Sequence, residues 1–417
     1  MENYHIQGGN HIEGEYLVKG AKNATLPILA ASVITGGENF FTGCPEISDV
    51  DIMEEILKTL GCTVRKERSG ILVNTAGLMG EKIPQELMKK MRSSIFLVGP
   101  ILCRLGEVTI CQPGGCAIGK RPIDIHIYGL KKLGASVKEN REGLTFYGKN
   151  LKGARIDLPF PSVGATENIM MAALGASGQT VINNCAREPE IEDLQNYLNK
   201  CGGKIQGAGT SQIVILGGEK LHGAKHQIMG DRVEGGTFLL AAAATGGCLE
   251  LKGLKIETLN TLCHILGRAG CEVIGRENSI CLQAPKRLLG VGKVTTGPYP
   301  EFPTDLQPQL GAVMAGALGK SYIEEAVFEN RFNYTKQLIK MGGVVEIFQR
   351  TAIIEGSGHL TGSSVVAEDL RGGAALVIAG LAAEGETIVK DIKFIERGYA
   401  NFPEELRKLG GNIGKHK

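Results

Sequence analysis

Helices that end at a glycine and lead into a short alternating strand recur along this chain at a nearly constant spacing. Each helix is amphipathic, and the glycine follows its last apolar position, where a left-handed residue ends a helix. The glycines are Gly61, Gly134, Gly202, Gly270, Gly342 and Gly410, and the intervals between them run from 68 to 73 residues. We therefore expect six repeats of about 70 residues.

A second series of helical segments keeps the same spacing but differs in composition. These segments are rich in alanine and glycine and are apolar nearly all round, which is typical of helices buried on every side. They cover 24–37, 94–106, 165–178, 236–247, 310–319 and 373–385. Short strands of alternating polarity, such as 70–73 and 212–215, lie between the two series.

The two series together predict six βαβ-type units in two compact α/β domains of three units each. We expect the alanine-rich helices inside each domain and the sheets outside, because these helices lack a polar face. An ordinary two-domain α/β protein without internal symmetry is the alternative. Two glycine series in phase with each other argue against it.

Composition excludes several classes of protein. The 417 residues include 43% hydrophobic and 22% charged ones, and the net charge of +2 gives no overall field that favours nucleic acid or a membrane surface. The polar N-terminus lacks the apolar core of a secretory signal. The longest apolar stretches fall short of the roughly 18 residues that span a bilayer. We expect a cytoplasmic protein that binds neither nucleic acid nor membrane; its oligomeric state stays open, a monomer included.

The eleven cysteines indicate neither a disulfide framework nor a structural zinc site, because their number is odd and they form no C-x-x-C pairs. Cys116 differs from the others because it lies in the glycine-rich, proline-bounded segment 113–122 and is followed by Lys120 and Arg121. Nearby cations favour the thiolate and attract anionic substrates, so Cys116 is a candidate reactive thiol. A buried, inert cysteine is the alternative.

Short motifs over essentially the full length resemble those of the enolpyruvyl transferases. In chain order they are Gly20-Ala21-Lys22-Asn23-Ala24, Met91-Arg92-Ser93-Ser94, the Cys116 segment through Arg121-Pro122-Ile123-Asp124, Ser162-Val163-Gly164-Ala165-Thr166, Ala186-Arg187-Glu188-Pro189-Glu190, Phe302-Pro303-Thr304-Asp305, Phe328-Glu329-Asn330-Arg331, Asp369-Leu370-Arg371 and Glu396-Arg397-Gly398-Tyr399. The resemblance implies a two-domain, inside-out α/β barrel built from six βαβ-type repeats. One domain would comprise 1–20 plus 230–417, and the other, carrying the Cys116 segment, would comprise 21–229. The active site would lie in the cleft between them.

Within that family, the chain is similar to the members whose acceptor is UDP-N-acetylglucosamine. The resemblance implies transfer of the enolpyruvyl group of phosphoenolpyruvate to the 3′-hydroxyl of this nucleotide sugar, with release of phosphate through a tetrahedral ketal intermediate. This reaction is the first committed step of peptidoglycan synthesis. The resemblance implies no cofactor and no metal, because side chains would meet the negative charge of the substrates.

The resemblance also implies roles at the reacting centre. Cys116 would act as the acid and would hold phosphoenolpyruvate as a covalent adduct. Asp305 would act as the base or orient the hydroxyl. Asn23 would donate to the phosphate, and Asp369 would support the guanidinium of Arg371. The implied cations are Lys22, Arg92, Arg121, Arg371 and Arg397.

A further set of positions is implied to bind the substrates, with the uridine read largely through backbone contacts. For the nucleotide sugar these are Arg121, Pro122, Ile123, Asp124, Ile125, Ser162, Val163, Gly164 and Val327; Lys22, Asn23, Arg92, Asp305, Arg371 and Arg397 complete the set. One departure is Phe160, which stands where some relatives carry a basic residue near the diphosphate. That contact would be lost or supplied by Lys120.

Other interpretations stay open at this point. Asp305 and Asp369 could each simply start or cap a helix. The chain could be the sister transferase that acts on shikimate 3-phosphate, although the Cys116 segment and the 162–164 turn argue against it. It could also be a catalytically silent relative that binds UDP-sugar, which the presence of Cys116, Lys22 and Asp305 disfavours.

Overall fold

The computed structural model describes residues 2–111, 119, 122–141 and 143–416. Cys116, Lys120 and Arg121 therefore lie outside the described residues. The described chain separates into two compact units, of which unit 1 contains 2–19, 119 and 230–416 and unit 2 contains 20–111, 122–141 and 143–229. The chain leaves unit 1 after Lys19 and returns to it at Gly230.

Helices and strands alternate along both units. The α-helices are α1 (Lys22–Thr35), α2 (Ser48–Thr59), α3 (Gln85–Lys90), α4 (Val98–Leu105), α5 (Asp124–Lys132), α6 (Val163–Leu174), α7 (Pro189–Lys200), α8 (Arg232–Ala244), α9 (Asn260–Arg268), α10 (Gln307–Ala315), α11 (Thr335–Lys340), α12 (Leu370–Ala382) and α13 (Phe402–Lys408). Short 3₁₀ helices cover Arg92–Leu97, Ile256–Leu259, Thr304–Leu306 and Ile392–Phe394. None of the helices in the described ranges is both long enough and apolar enough to cross a membrane.

The strands are short. They are β1 (Asn3–Gln7), β2 (Gly14–Leu17), β3 (Glu38–Thr42), β4 (Thr63–Glu67), β5 (Gly70–Asn74), β6 (Glu107–Ile110), β7 (Ser136–Asn140), β8 (Gly143–Tyr147), β9 (Arg155–Asp157), β10 (Gly178–Asn183), β11 (Lys204–Gln206), β12 (Gln212–Gly217), β13 (Lys225–Gln227), β14 (Cys248–Lys252), β15 (Glu272–Arg276), β16 (Ser279–Gln283), β17 (Gly292–Thr295), β18 (Leu318–Glu324), β19 (Val344–Phe348), β20 (Thr351–Ser357), β21 (Ser364–Val366), β22 (Glu386–Lys390) and β23 (Asn412–His416). The strands expected at 70–73 and 212–215 are confirmed as β5 and β12.

Three sheets form in each unit of the described chain, as six repeats require. In unit 2 the strand orders are β13-β3-β5-β4, β6-β8-β7 and β11-β12-β10-β9; in unit 1 they are β15-β16-β14-β2, β17-β18-β20-β19 and β21-β22-β1-β23. Each four-stranded sheet has one parallel edge strand and is otherwise antiparallel. A parallel bridge between Lys82 and Thr109 occupies the corresponding place beside β6.

The last sheet of unit 1 is completed by the start of the chain. β1 pairs with β22 on one side and β23 on the other, both antiparallel, with Ile6 opposite Thr387 and Ile413. In the other four-stranded sheets the equivalent place is taken by a strand from the same stretch of chain, such as β12 or β20. The sixth repeat therefore borrows a strand from the N-terminus.

Apolar helices lie at the centre of each unit, as the second glycine series predicts. In α1, 13 of the 14 residues are buried, and in α10 all nine are. The helices α1, α4 and α6 pack together in unit 2, and α8, α10 and α12 pack together in unit 1. The expectation that these helices lie inside and the sheets outside is confirmed.

The six glycines of the first series adopt the left-handed conformation that ends a helix. Their φ angles are 97°, 97°, 96°, 101°, 85° and 96° in chain order. A side chain at these positions would be strained, so the periodic glycines are explained by backbone geometry. Three central helices start three or four residues earlier than the pattern predicts: α8 at Arg232, α10 at Gln307 and α12 at Leu370. Asp231 and Asp369 cap α8 and α12, and polar residues in the first turns of all three helices are buried.

Candidate active site

Asp305 lies in the 3₁₀ turn that leads into α10, and both of its carboxylate oxygens meet guanidinium groups. Arg331 Nη2 is 2.5 Å from Oδ1, and Arg371 Nη2 is 3.2 Å from Oδ2. Arg331 also donates from Nε to the Thr304 carbonyl oxygen at 3.1 Å. The orientation of the Asp305 carboxylate is therefore fixed from two sides.

Arg371 occupies the first turn of α12 and is 3% exposed. Asp369 caps this helix, accepting from the backbone N–H groups of Arg371 and Gly372 at 3.0 Å each, and its Oδ1 lies 4.0 Å from Arg331 Nη1. The guanidinium carbon of Arg371 lies 5.4 Å from the centre of the Tyr399 ring. Asp369 therefore serves as a helix cap, and the guanidinium near its carboxylate is that of Arg331 rather than that of Arg371, for which the support was expected.

Two donor atoms of Arg371, Nε and Nη1, have no hydrogen-bond partner in the described protein. Burying an ion without satisfying its donors costs free energy, so native proteins rarely leave such atoms unpaired. An anion bound at this point would satisfy them with charge-assisted hydrogen bonds. The cluster of Asp305, Arg331, Asp369 and Arg371 is thus shaped to receive negative charge.

The glycine pair after Arg371 is explained by close packing. A Cβ atom at Gly373 would lie 2.6 Å from Ile395 Cγ1 and 2.9 Å from Ala367 Cβ, which is closer than carbon atoms approach. At Gly372 it would lie 2.7 Å from an oxygen of Asp369. Larger residues would push the start of α12 away from its cap.

Glu325 connects the Asp305 turn to Val327 and is 1% exposed. Its Oε1 accepts from the backbone N–H groups of Val327 and Phe328, at 2.8 and 3.0 Å, and its Oε2 accepts from the Thr304 hydroxyl at 2.9 Å. One carboxylate therefore holds two predicted site segments together in unit 1.

In unit 2, Lys22 begins α1, and its Nζ lies 2.5 Å from Asp49 Oδ2. The side chains are 10% and 2% exposed, respectively, so the pair is largely removed from water. Asn23 follows directly and is half-buried. The ion pair holds the lysine near the N-terminus of α1, where the helix dipole adds positive potential.

A buried asparagine, Asn168 on α6, joins elements that carry the predicted nucleotide-sugar positions. Its Nδ2 donates to the Ile95 carbonyl oxygen at 2.9 Å and lies 3.1 Å from His126 Nδ1, and its Oδ1 accepts from the Gly99 N–H at 2.7 Å. Ile95 belongs to the 3₁₀ helix that starts at Arg92, and His126 belongs to α5, which starts at Asp124.

The 162–164 turn belongs to the same group of elements. Ser162 caps α6 by accepting from the Ala165 N–H at 3.4 Å, and a Cβ at Gly164 would lie 3.3 Å from the Phe96 ring and 3.4 Å from the His126 ring. The structure therefore brings together, within unit 2, the segments that hold Arg92, 122–125 and 162–164. Phe160, just before this turn, is 42% exposed.

Other predicted residues are located as follows. Arg397 is half-buried and precedes Tyr399 by two residues, and Pro122 and Asp124 are exposed. Cys116 and Arg121 fall outside the described residues. In the described ranges, no three His, Cys, Asp or Glu side chains are grouped as a metal site would require.

Sequence reasoning missed four residues that organise the site: Arg331, Glu325, Asp49 and Asn168. Arg331 was present in a quoted motif but was given no role. Asp49 near the start of α2 and Glu325 just after β18 are single polar residues at element ends, and no local pattern separates them from surface polar residues. The apolar neighbours of Asn168 on α6 were the available signal, because a polar residue inside an apolar helix is usually hydrogen-bonded.

Comparison with known proteins identifies the family of the chain. Residues 6–406 match the family described as EPSP synthase (3-phosphoshikimate 1-carboxyvinyltransferase). Over 99% of both chains, the sequence is 47% identical to UDP-N-acetylglucosamine 1-carboxyvinyltransferase 2 of Caldanaerobacter subterraneus subsp. tengcongensis and 45% identical to UDP-N-acetylglucosamine 1-carboxyvinyltransferase 1 of Staphylococcus epidermidis.

Solved structures establish the fold independently. The enolpyruvyl transferase NikO from Streptomyces tendae superposes with a TM-score of 0.89 at 22% identity, covering 99% of this chain and 98% of that one. EPSP synthase from Acinetobacter baumannii superposes with a TM-score of 0.77 at 21% identity, with full coverage of both chains. The expected inside-out α/β fold is confirmed, and the chain belongs to the enolpyruvyl transferase family, among the UDP-N-acetylglucosamine 1-carboxyvinyltransferases.

Proposed function

We infer that the protein transfers the enolpyruvyl group of phosphoenolpyruvate to the 3′-hydroxyl of UDP-N-acetylglucosamine and releases phosphate. The observation that carries this inference is the cluster of Asp305, Arg331 and Arg371, in which the buried Arg371 guanidinium has two donor atoms without a hydrogen-bond partner among the described residues. Relatives at 45–47% identity bear the name of this activity. The alternatives, a shikimate 3-phosphate transferase and a silent UDP-sugar binder, gain no support from these observations.

The charge cluster fits the demands of the reaction. Phosphoenolpyruvate carries a phosphate and a carboxylate, and preorganised cations stabilise the charge that develops as the ketal intermediate forms. In this proposal the unpartnered donors of Arg371 bind the anion, and Arg331 keeps Asp305 oriented. Asp305 then accepts the proton of the sugar hydroxyl, or holds that hydroxyl in line for attack on the electrophilic carbon.

The remaining residues are assigned by their match to family motifs. Cys116 delivers a proton to the methylene carbon, and its thiolate can form a covalent adduct with phosphoenolpyruvate. Lys22, Arg92, Arg121 and Arg397 supply further positive charge, and Asn23 donates to the phosphate. The segments 122–125 and 162–164, together with Val327, bind the nucleotide sugar.

The same proposal places the activity in the cytoplasm and its product at the start of peptidoglycan synthesis. A catalytic thiol such as Cys116 needs a reducing compartment, because disulfides form readily elsewhere. The ten described cysteines are all free. These free thiols are compatible with that compartment.

Release of inorganic phosphate tests the proposal directly. The purified protein is incubated with phosphoenolpyruvate and UDP-N-acetylglucosamine, with each substrate omitted in turn, and a parallel reaction replaces the nucleotide sugar by shikimate 3-phosphate. Release that requires phosphoenolpyruvate and the nucleotide sugar supports the proposal. Release only with shikimate 3-phosphate identifies the sister activity, and UDP-sugar-dependent thermal stabilisation without release identifies a silent binder.

A further inference from the structure

Tyr399 lies where three central helices of unit 1 meet and is 1% exposed. Its hydroxyl is 2.8 Å from the Thr237 hydroxyl on α8 and accepts from Gln309 Nε2 on α10 at 3.1 Å. Gln309 Nε2 also lies 3.2 Å from the Thr237 hydroxyl oxygen, which closes a three-membered network. The tyrosine is therefore anchored to two helices through a single oxygen atom.

The ring of Tyr399 faces the third helix. The guanidinium carbon of Arg371, at the start of α12, is 5.4 Å from the ring centre, within the range of a cation–π interaction. The ring also stacks on Phe402, with centroids 4.6 Å apart and planes inclined by 28°. The ring thus has little freedom to tilt or slide.

Among the described residues, Asp305 and Tyr399 are the two principal partners of the Arg371 guanidinium. Asp305 Oδ2 accepts from Nη2 at 3.2 Å, and the Tyr399 ring contacts the group through its π face. One hydrogen bond alone leaves a guanidinium free to turn about that bond. The aromatic contact removes this freedom, so the direction of the unpartnered Nε and Nη1 depends on the ring.

We propose that Tyr399 is a positioning residue for Arg371, which it keeps aimed at the anionic substrate through the network with Thr237 and Gln309. The proposal rests on the proposed function for the identity of that substrate, phosphoenolpyruvate. Tyr399 does not itself touch the reacting atoms. Its contribution is to reduce the orientational freedom that Arg371 would otherwise lose on binding.

Two substitutions separate the ring from the hydroxyl. Tyr399→Leu removes the aromatic contact, and we expect the KM for phosphoenolpyruvate to rise roughly 5- to 30-fold, from the strength of a desolvated cation–π pair. Tyr399→Phe keeps the ring and leaves Thr237 and Gln309 bonded to each other, so the rise should be only about 2- to 5-fold. In both variants the KM for UDP-N-acetylglucosamine should stay within about twofold of its value in the unsubstituted protein, because in this proposal Arg371 binds phosphoenolpyruvate.

Tyr16→Leu is the matched control for lost packing. Tyr16 belongs to the same unit, is 3% exposed and stacks on Phe238 with centroids 3.9 Å apart. Its substitution should lower the melting temperature about as much as Tyr399→Leu without a selective effect on phosphoenolpyruvate. A loss in both KM values, equal in Tyr16→Leu and Tyr399→Leu, would overturn the positioning role.

A double-mutant cycle with Arg371→Lys tests whether Tyr399 acts through Arg371. If it does, Tyr399→Leu should raise the KM for phosphoenolpyruvate by less than about twofold in the Arg371→Lys background. If Tyr399→Leu raises the KM for phosphoenolpyruvate by the same factor in the Arg371→Lys background as in the unsubstituted protein, the proposal is refuted. Should Tyr399→Leu fail to fold, the same cycle with Tyr399→Phe decides the question by the same criterion.

Calorimetric titration with phosphoenolpyruvate distinguishes failure of this inference from failure of the proposed function. If the unsubstituted protein binds phosphoenolpyruvate but releases no phosphate, the proposed function fails, and the Tyr399 variants are compared by affinity instead. Unchanged affinity in Tyr399→Leu would then overturn the inference. If the unsubstituted protein does not bind phosphoenolpyruvate at all, both fail.

Discussion

Arg331 places its charge almost completely out of water, with a side chain that is 2% exposed, beside two carboxylates of unequal exposure. Asp305 is 30% exposed and Asp369 is 10% exposed. A buried cation in such a pair stabilises the fold less than its distances imply, because desolvation offsets much of the attraction, yet deleting one partner leaves an uncompensated charge. Arg331 therefore contributes more to the arrangement of the site than to the net stability of unit 1.

Arg331→Met should lower the free energy of unfolding by about 3 kcal/mol, the lower end for breaking a buried pair, since Asp305 keeps some access to water. Catalytic turnover should fall as well, because Asp305 then has one guanidinium instead of two. Urea denaturation and phosphate release measure the two effects. The control is Arg350→Met, which removes an exposed side chain with a backbone hydrogen bond to Glu325 and should cost less than about 1.5 kcal/mol. Equal urea midpoints of unfolding for Arg331→Met and Arg350→Met would contradict this expectation.

Cys116 supports a prediction from sequence chemistry alone. A thiol next to cations reacts as the thiolate, so epoxide alkylators such as fosfomycin should inactivate the protein by labelling this position. Cys116→Ser should abolish the labelling, measured as the mass increase of the intact chain. Cys248 is an exposed thiol in the described part of the chain, so Cys248→Ser serves as the control and should be labelled normally. Unchanged labelling of Cys116→Ser would show that the reactive thiol lies elsewhere.

At the scale of single residues, short motifs in the sequence identified the residues whose role follows from their type. Residues whose role depends on contacts with distant parts of the chain were missed. Asp305, Asp369 and Arg371 could be named from short motifs, and the structure places them in one cluster. Arg331 and Glu325 meet that cluster from a separate segment of chain. Their contacts across more than twenty residues leave no periodic trace, so no local pattern could assign them.

At the scale of elements, α12 shows how one side chain links helix stability to charge. Asp369 accepts from two backbone N–H groups at the start of this helix, and its carboxylate also faces Arg331. Capping needs only an oxygen acceptor, which asparagine also provides, whereas the electrostatic role needs the negative charge. The two roles are therefore separable by substitution.

Asp369→Asn should keep the stability of the protein within a few tenths of a kcal/mol, whereas Asp369→Ala should lose about 1 kcal/mol from the missing cap. Phosphate release should fall in both variants, because neither retains the charge that faces Arg331. Thermal unfolding and initial rates measure the two effects. Full activity in Asp369→Asn would show that the cap is the whole contribution of this residue.

The elements themselves were largely predictable, because their signals are local. A glycine with positive φ after the last helical turn is required by backbone sterics, so the six positions could be read directly from the chain. The starts of α8 and α12 were placed too late, because their first turns carry Arg232, Glu234 and Arg371, and buried charges break an apolar pattern. Burial of such charges is decided by tertiary contacts, which periodicity does not contain.

At the scale of the whole molecule, the chain leaves unit 1 after Lys19 and enters its long C-terminal part at Gly230, and hydrogen bonds join the residues next to these two points. The Asp231 N–H donates to the Lys19 carbonyl oxygen at 2.8 Å, and the Lys19 N–H donates to Glu234 Oε2 at 3.0 Å. Burial, with the nearby charge of Asp231, raises the pKa of Glu234 from 4.5 to about 7. A titratable group therefore sits at the point where the two units are connected by chain.

This raised pKa predicts that stability falls as the pH rises. Between about pH 4.5 and 7, the unfolded chain has released the Glu234 proton while the folded chain keeps it, so the folded state must either hold the proton or bury a charge. The penalty is complete above pH 7 and amounts to at most about 3 kcal/mol. Glu234→Gln retains an acceptor for the Lys19 N–H and should remove the penalty.

Urea denaturation at pH 5 and pH 8 measures this effect. The stability advantage of Glu234→Gln over the unsubstituted protein should grow between the two pH values, whereas the exposed control Glu15→Gln should show no such growth. Parallel stabilities of Glu234→Gln and the unsubstituted protein would contradict the shifted pKa.

The position of β1 has a consequence for how the molecule is made. This strand, with Tyr4 and Ile6 buried, is synthesised long before its partners β22 and β23, which lie at 386–390 and 412–416. At synthesis rates of roughly 5–20 residues per second, about 20–80 seconds pass between the synthesis of β1 and that of β22 and β23. Every strand of unit 2 lies within 38–227, so that unit can fold while unit 1 is still being synthesised. During nascent-chain folding, β1 therefore stays without its sheet partners until β22 and β23 have been synthesised.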